Sequence, residues 1–400
     1  MRIIFLILWL VSFVDAQRAD TIDGLVAHAM KVHPSLQAIK HRLSAMDTRI
    51  EMSQNFENPD ISLMVNDIQF DDPLNRRLEP MQFTSLNVKQ KLPWFGKLEA
   101  KKVYTQSKKN LVLHSYDGAK VALAKEIRLS VYTIREYEER LKILSEYKKV
   151  AKQNRELYTA YASTQNKSHS SSIQASLLLS NLKIREQNYQ AILKSQKSKL
   201  KYLVQRDIGL LKASLKMTVP LGTKYYLNKL KNNPNYRLKT SQKHVADAQK
   251  VLSDLAHTPD PYVKVGYYNR VDYPDYASVT VGMALPLYGT EKSNSELARK
   301  EILQAQSSII DYKYMLMNEI ETMGIKLHEA YTIYKIIQEQ SLPQIAHMFD
   351  LLQSSIQNGG DLFAYMRLLE QKLALEEEGI SIKAIYFRTQ AKLNSLIGEL

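Results

Sequence analysis

Met315, Met317, Met323 and His328 fall within 14 residues, and thioethers beside an imidazole are the donor set of a soft-metal site for copper or silver. Helical geometry opposes that use. Met315 and Met317 are two residues apart and face different sides of a helix, while Met323 belongs to an apolar seam, so core packing is the expectation. Asp71-Asp72 lies in a loop expected to be solvated, and Glu376-Glu377-Glu378 reads as a solvated helix face. The sequence has no cysteine, which removes thiolate ligands, disulfides, a cysteine nucleophile and a lipid on an N-terminal cysteine. It also has no glycine-rich phosphate loop after a strand, no HExxH and no serine elbow. No enzyme activity, cofactor or resident metal is expected, and what remains is the chemistry of surfaces.

Those surfaces are carried by elements that the sequence states twice. His33-Pro34 and Asn58-Pro59-Asp60 return as Asn233-Pro234 and Thr258-Pro259-Asp260, 200 residues later. Leu92-Pro93-Trp94-Phe95-Gly96 returns as Leu285-Pro286-Leu287-Tyr288-Gly289, 193 residues later, so the halves differ by seven residues in one hairpin tip. Each half reads as helix, β-hairpin, long helix, turn and return helix. The boundaries expected are 1–16 for an export signal, 17–215 for the first repeat, 216–232 for a linker and 233–400 for the second repeat.

The strands are read from a two-residue period. Leu86, Val88 and Leu92 alternate with Ser85, Asn87, Lys89 and Lys91, and Gln90 interrupts the apolar face; Val279, Val281, Met283 and Leu285 alternate with Ser278, Thr280, Gly282 and Ala284. The partners are Ile61 to Phe70 and Tyr262 to Val271. Such runs suit tilted transmembrane strands, yet four strands cannot close a barrel, and an open edge in lipid leaves backbone groups unpaired. Strands that enter a membrane must therefore be pooled from several copies; otherwise the hairpins pack on a soluble helical body. Pro93 and Pro286 stop the second strand of each pair, Trp94, Phe95 and Tyr288 supply amphipathic rings suited to a bilayer interface, and Gly96 and Gly289 permit the turn into a helix.

Almost no glycine or proline interrupts Lys97 to about Thr164 or Thr290 to about Gln357. Ile309, Leu316, Ile320, Met323, Leu327, Ala330, Tyr334 and Ile337 form a heptad seam in the second stretch, and Ile127, Val131, Ile134 and Leu141 a looser one in the first. Helices of that length reach on the order of 100 Å. Pro343 is expected to kink or split the second, whereas Val150 leaves the first continuous. The polar breaks at 163–172 and 357–361 mark helical turns.

Arg2, the apolar run Ile3 to Val11 and Val14-Asp15-Ala16 read as an export signal cleaved before Gln17. The formal charge of +14 is spread as lysines over long helices, so nucleic acid is not an expected partner.

The duplicated unit with Leu-Pro-aromatic-aromatic-Gly strand exits resembles the TolC-type outer membrane factor (outer membrane efflux protein) family, over about residues 20–398. Leu92-Pro93-Trp94-Phe95-Gly96-Lys97 is most similar to its heavy-metal Czc/Cus-type branch. The resemblance implies a mainly α fold with a small β part, in a homotrimer that joins a periplasmic α-barrel to a shared twelve-stranded barrel in outer membrane lipid. It implies an exit duct for metal ions or toxic small molecules, docked at its helical tips (Asn166, Ser168, Asn358, Gly359) to a periplasmic adaptor and an inner membrane pump. The acidic gate positions of the family fall on Ala364 and Arg367, which leaves Asp361 as the candidate for a ring of carboxylates and Arg367 for a gate ion pair. The alternatives are a multidrug or type I protein export duct of the same fold, or a soluble periplasmic coiled-coil scaffold.

Overall fold

The computed structural model describes residues 19–164, 169–212, 215–356 and 362–400. The export signal and the tip residues Asn166, Ser168, Asn358, Gly359 and Asp361 lie outside the described residues.

The first half runs β1 (Ala19–Asp20), α1 (Ile22–Val32), α2 (Pro34–Met52), β2 (Asp60–Asn66), β3 (Phe83–Lys91), α3 (Lys97–Thr164), α4 (His169–Val204) and β4 (Leu210–Leu211). After α5 (Thr223–Asn228) and a 3₁₀ turn, the order returns as α6 (Pro234–Leu255), β5 (Pro261–Asn269), β6 (Tyr276–Met283), α7 (Thr290–Ile336), α8 (Leu342–Ile356) and α9 (Leu362–Leu396). Helix, hairpin, long helix and return helix thus occur twice. Strand β2 is shorter than expected, because Asp67 takes a positive φ of 59° and turns the chain out of the ladder.

The residues form two compact units, each drawn from both halves. One holds the described residues up to Gln37, with Gly118–Asn233 and Leu316–Leu400; the other holds Ala38–Asp117 and Pro234–Met315.

The first unit is helical. Leu144, Tyr147 and Ala151 of α3 pack with Ala175, Leu178, Leu179 and Leu182 of α4 and with Met366, Leu369 and Leu373 of α9. The α3 stripe runs through buried Ile127, Val131 and Ile134 and then through Leu144, while Leu141 is only half-buried; an apolar stripe on a 3.6-residue helix drifts off a strict heptad. A charge sits inside this core. Glu136 accepts from Arg140 at 2.9 Å and Arg388 at 2.5 Å, so α3 and α9 share one carboxylate. In α7, Leu316, Ile320, Leu327 and Ala330 are buried, with Met323 and Tyr334 half-buried, and Ile337 just beyond its end is buried too. Pro343 does divide the helix: Ile337–Ser341 forms a π turn before it, which absorbs the hydrogen bond that proline cannot donate. Helix α3 has no such break.

The second unit carries the sheet. Four antiparallel strands follow the order β2-β3-β5-β6, so the two hairpins lie side by side and β2 and β6 form its edges.

Candidate functional site

Register decides what each face of the sheet presents. Ile61, Val88, Val265 and Val279 stand in one cross-strand row, followed by Leu63, Leu86, Tyr267 and Ala277. These side chains are exposed: Leu63 is 71% and Val279 70% accessible. The opposite face holds Ser62, Asn87, Gly266 and Ser278 in one row and Met64, Ser85, Tyr268 and Tyr276 in the next. There Ser85 is 1% and Asn87 2% accessible. A water-soluble sheet turns its apolar face inward; this one does the reverse.

The polar face is closed by its own side chains. Asn87 donates to Ser85 Oγ at 3.0 Å, the Tyr268 hydroxyl lies 3.3 Å from Asn87 Oδ1, and Ser278 donates to the Tyr268 hydroxyl at 3.2 Å. Tyr268 stacks on Tyr276 at 4.6 Å. Gly266 and Gly282 are the seats for the rings of Tyr268 and Tyr262, where any Cβ would collide with them. The small residues that blur the alternation in sequence are thus the places where rings lie flat on backbone.

At the strand exits the expected residues come together. Pro93 ends the ladder after β3, Trp94 and Phe95 meet edge to face at 6.1 Å, and Gly96 adopts φ +87° before α3 begins. The second exit repeats this with Pro286, Tyr288 and Gly289 at φ +77°. Phe95 is 90% and Tyr288 97% exposed, beyond the ends of β3 and β6.

One residue at the first exit was not anticipated. Asp260 Oδ1, just before β5, accepts the Trp94 N–H at 2.8 Å and Lys97 Nζ at 2.7 Å, and Lys97 also donates to Thr258 O at 2.6 Å. Lys91 stands 3.9 Å from the other carboxylate oxygen. Asp260 therefore clamps the end of one hairpin to the start of the other. Burial pushes its carboxyl up, but the Lys97 and Trp94 hydrogen bonds outweigh that and hold it below the ordinary carboxylate range. Its signal in the sequence was the repeated Pro-Asp at 59–60 and 259–260.

At the opposite end of the strands, Arg76 donates to the carbonyls of Asn66, Asp67 (3.0 Å) and Phe83 (3.1 Å), tying the first hairpin tip. Asp275 accepts from Tyr267, Asn269 and the Arg270 N–H and ties the second. Asp71 and Asp72 are exposed, as expected of a solvated loop.

The other candidates are dispersed. Arg367 is exposed on α9 and, with Glu370 and with Gln174 and Asn181 of α4, lines a cavity of about 250 Å³. Met315 and His328 are both exposed and Met323 is half-buried in the α7 seam, so no thioether site is assembled. Among the described residues, no cluster of three histidine or acidic side chains could hold a metal, and no helix is long and apolar enough to cross a membrane.

No protein-family model matches the sequence, and no curated protein matches it. Solved structures do. The chain is similar to the CmeC outer membrane channel of Campylobacter jejuni, at TM-score 0.78 and 13% identity over 94% of this chain and 85% of that one. It is similar to the outer membrane protein VceC of Vibrio cholerae, at TM-score 0.78 and 14% identity over 94% of this chain and 96% of that one. It is also similar to CusC, whose transmembrane channel formation has been described structurally, at TM-score 0.75 and 14% identity over 97% and 93%.

Proposed function

We propose that this chain, which has the fold of the TolC-type outer membrane channels, is one protomer of a trimeric outer membrane exit duct. The duct passively conducts metal ions or toxic small molecules delivered by an inner membrane pump and a periplasmic adaptor. The carrying observation is the inverted sheet, with its apolar face exposed and the centre of its polar face, at Ser85, Asn87 and Gly266, buried. Nine residues of strand β3, at about 3.3 Å per residue and a tilt of about 40°, rise roughly 23 Å, which matches the apolar band of an outer membrane barrel. The ringed exits at Trp94, Phe95 and Tyr288 then lie at one interface. The helices extend into the periplasm, and the tips at Asn166, Ser168, Asn358 and Gly359 meet the adaptor.

Edges β2 and β6 must pair with neighbouring copies, and the repeat supplies the register. Lys91 pairs with Tyr262 inside the chain. Shifting Lys91 forward by 193 gives Ala284, and shifting Tyr262 back by 200 gives Ser62. Ala284 of one copy therefore faces Ser62 of the next, and Met283 faces Leu63 with both on the apolar side. By the same shift, Leu287 of one copy comes beside Asp60 of the next, with its N–H donated within its own chain to Leu285 O at 3.0 Å.

Because Leu92 N–H donates to Pro261 O, the Lys91–Tyr262 pair is a non-hydrogen-bonded one, with Cα atoms about 4.5 Å apart and open to a disulfide. In a chain without native cysteine, Ser62→Cys combined with Ala284→Cys is expected to give covalent trimers on a non-reducing gel after mild oxidation. Met64→Cys with Ala284→Cys, on the same face but two residues out of register, is expected to give far less. Crosslinking only in the shifted pair overturns the register, and a monomer in both overturns the duct.

A further inference from the structure

The polar face of the sheet is not neutral. Asp60, Lys89, Lys264 and Thr280 form one cross-strand row on it, and Lys91, Tyr262 and Gly282 the next. Lys91 is engaged by Glu57 at 3.4 Å and by Asp260 at 3.9 Å. Lys89 Nζ lies over the Tyr262 ring, 4.6 Å from its centroid, a contact that holds an ammonium without neutralising it. The Lys264 ammonium makes no ion pair or hydrogen bond among the described residues. Asp60, directly opposite Lys89, is the one carboxylate in these two rows, and against Lys89 and Lys264 it leaves its row with a net positive charge in each copy. Each sheet thus brings two adjacent lysines, neither in an ion pair among the described residues, against one carboxylate on the face opposite the lipid.

We infer that this face is a selectivity surface for anions, and that the cargo is anionic small molecules rather than metal cations. The inference rests on the duct reading: closing the barrel turns the polar face into the pore wall and gathers the Lys89–Lys264 pair of every copy at one level. A ring of net positive charge in a pore attracts anions and opposes cations. The low-dielectric barrel wall focuses that field, and the tyrosine beneath Lys89 fixes where the charge sits. Of the two cargo classes compatible with the duct, the ring opposes metal cations and passes phosphates, carboxylates and sulfonates.

The test is ion selectivity in planar bilayers, with the full mature chain and a potassium chloride gradient centred near 0.1 M, where screening acts over about 10 Å. The wild type is expected to pass chloride in preference to potassium. Lys89→Gln with Lys264→Gln is expected to lower the chloride-to-potassium permeability ratio about threefold, whereas Lys89→Arg with Lys264→Arg keeps it. Should the double glutamine variant not assemble, Lys264→Gln alone is expected to lower the ratio in the same direction, because its ammonium holds no structural contact. A conducting trimer that prefers potassium, or whose ratio ignores both glutamine variants, overturns the inference and leaves the duct standing. A protein that forms no trimer and no pore overturns the duct itself.

Discussion

Val279→Arg is expected to remove the trimer from the membrane fraction while Val279→Leu leaves it at wild-type abundance. Val279 lies midway along β6, in the row with Val265, Val88 and Ile61, and is 70% accessible. On a soluble protein, so exposed a valine would tolerate arginine within about 0.5 kcal/mol. On a strand facing lipid near the bilayer midplane, the guanidinium costs about 2–4 kcal/mol in each copy. A closed barrel incurs that cost once per copy, so the substitution reads directly which solvent the apolar face meets. Wild-type amounts of trimer in the arginine variant would place the face in water.

Asp260→Ala is expected to destabilise the chain by about 2–3 kcal/mol, the range for losing hydrogen bonds to a charged group. The variant leaves Lys97 without its carboxylate and the Trp94 N–H without its acceptor, which frees the end of β3 from the start of β5. Its pH dependence follows from the lowered carboxyl. A group with a depressed folded pKa stabilises the fold fully above its unfolded value of about 4 and loses that contribution as pH falls through the folded value. Denaturation of the detergent-extracted protein should therefore separate wild type from variant at pH 7, and the gap should narrow below about pH 4. A constant gap across that range would assign the loss to packing instead of charge.

Both residues show how far the sequence could be read. The alternation that marks β3 and β6 placed Leu86, Val88, Val279 and Val281 on one face, because side-chain direction in a strand depends on local geometry alone. Which face meets water is a property of the assembled sheet. It became readable only when the register put Asn87 and Ser85 beneath Tyr268 and left Leu63 open. The exits at Pro93-Trp94-Phe95-Gly96 were legible because proline and glycine impose backbone conformations by themselves. Asp260 was not, since its partners lie more than 160 residues away in sequence. The long helices were visible as stretches nearly free of glycine and proline, and Pro343 announced a discontinuity. The form it took, a π turn at Ile337–Ser341, depends on packing that no local rule contains. Glu377, expected on a solvated helix face, is instead buried and accepts from Arg185 at 3.1 Å and Tyr189 at 2.8 Å, partners that only the meeting of α4 with α9 supplies. Of the methionines expected in the core, Met323 is half-buried in the α7 seam, whereas Met315 is 50% exposed.

The central claim is that the exposed apolar sheet is lipid-facing wall held in common by several copies. Membrane fractionation with gels run before and after boiling tests it most directly. The account predicts outer membrane protein that migrates unboiled at about three times the chain mass and collapses to a monomer on heating. A soluble periplasmic monomer with the same mobility under both conditions would contradict it.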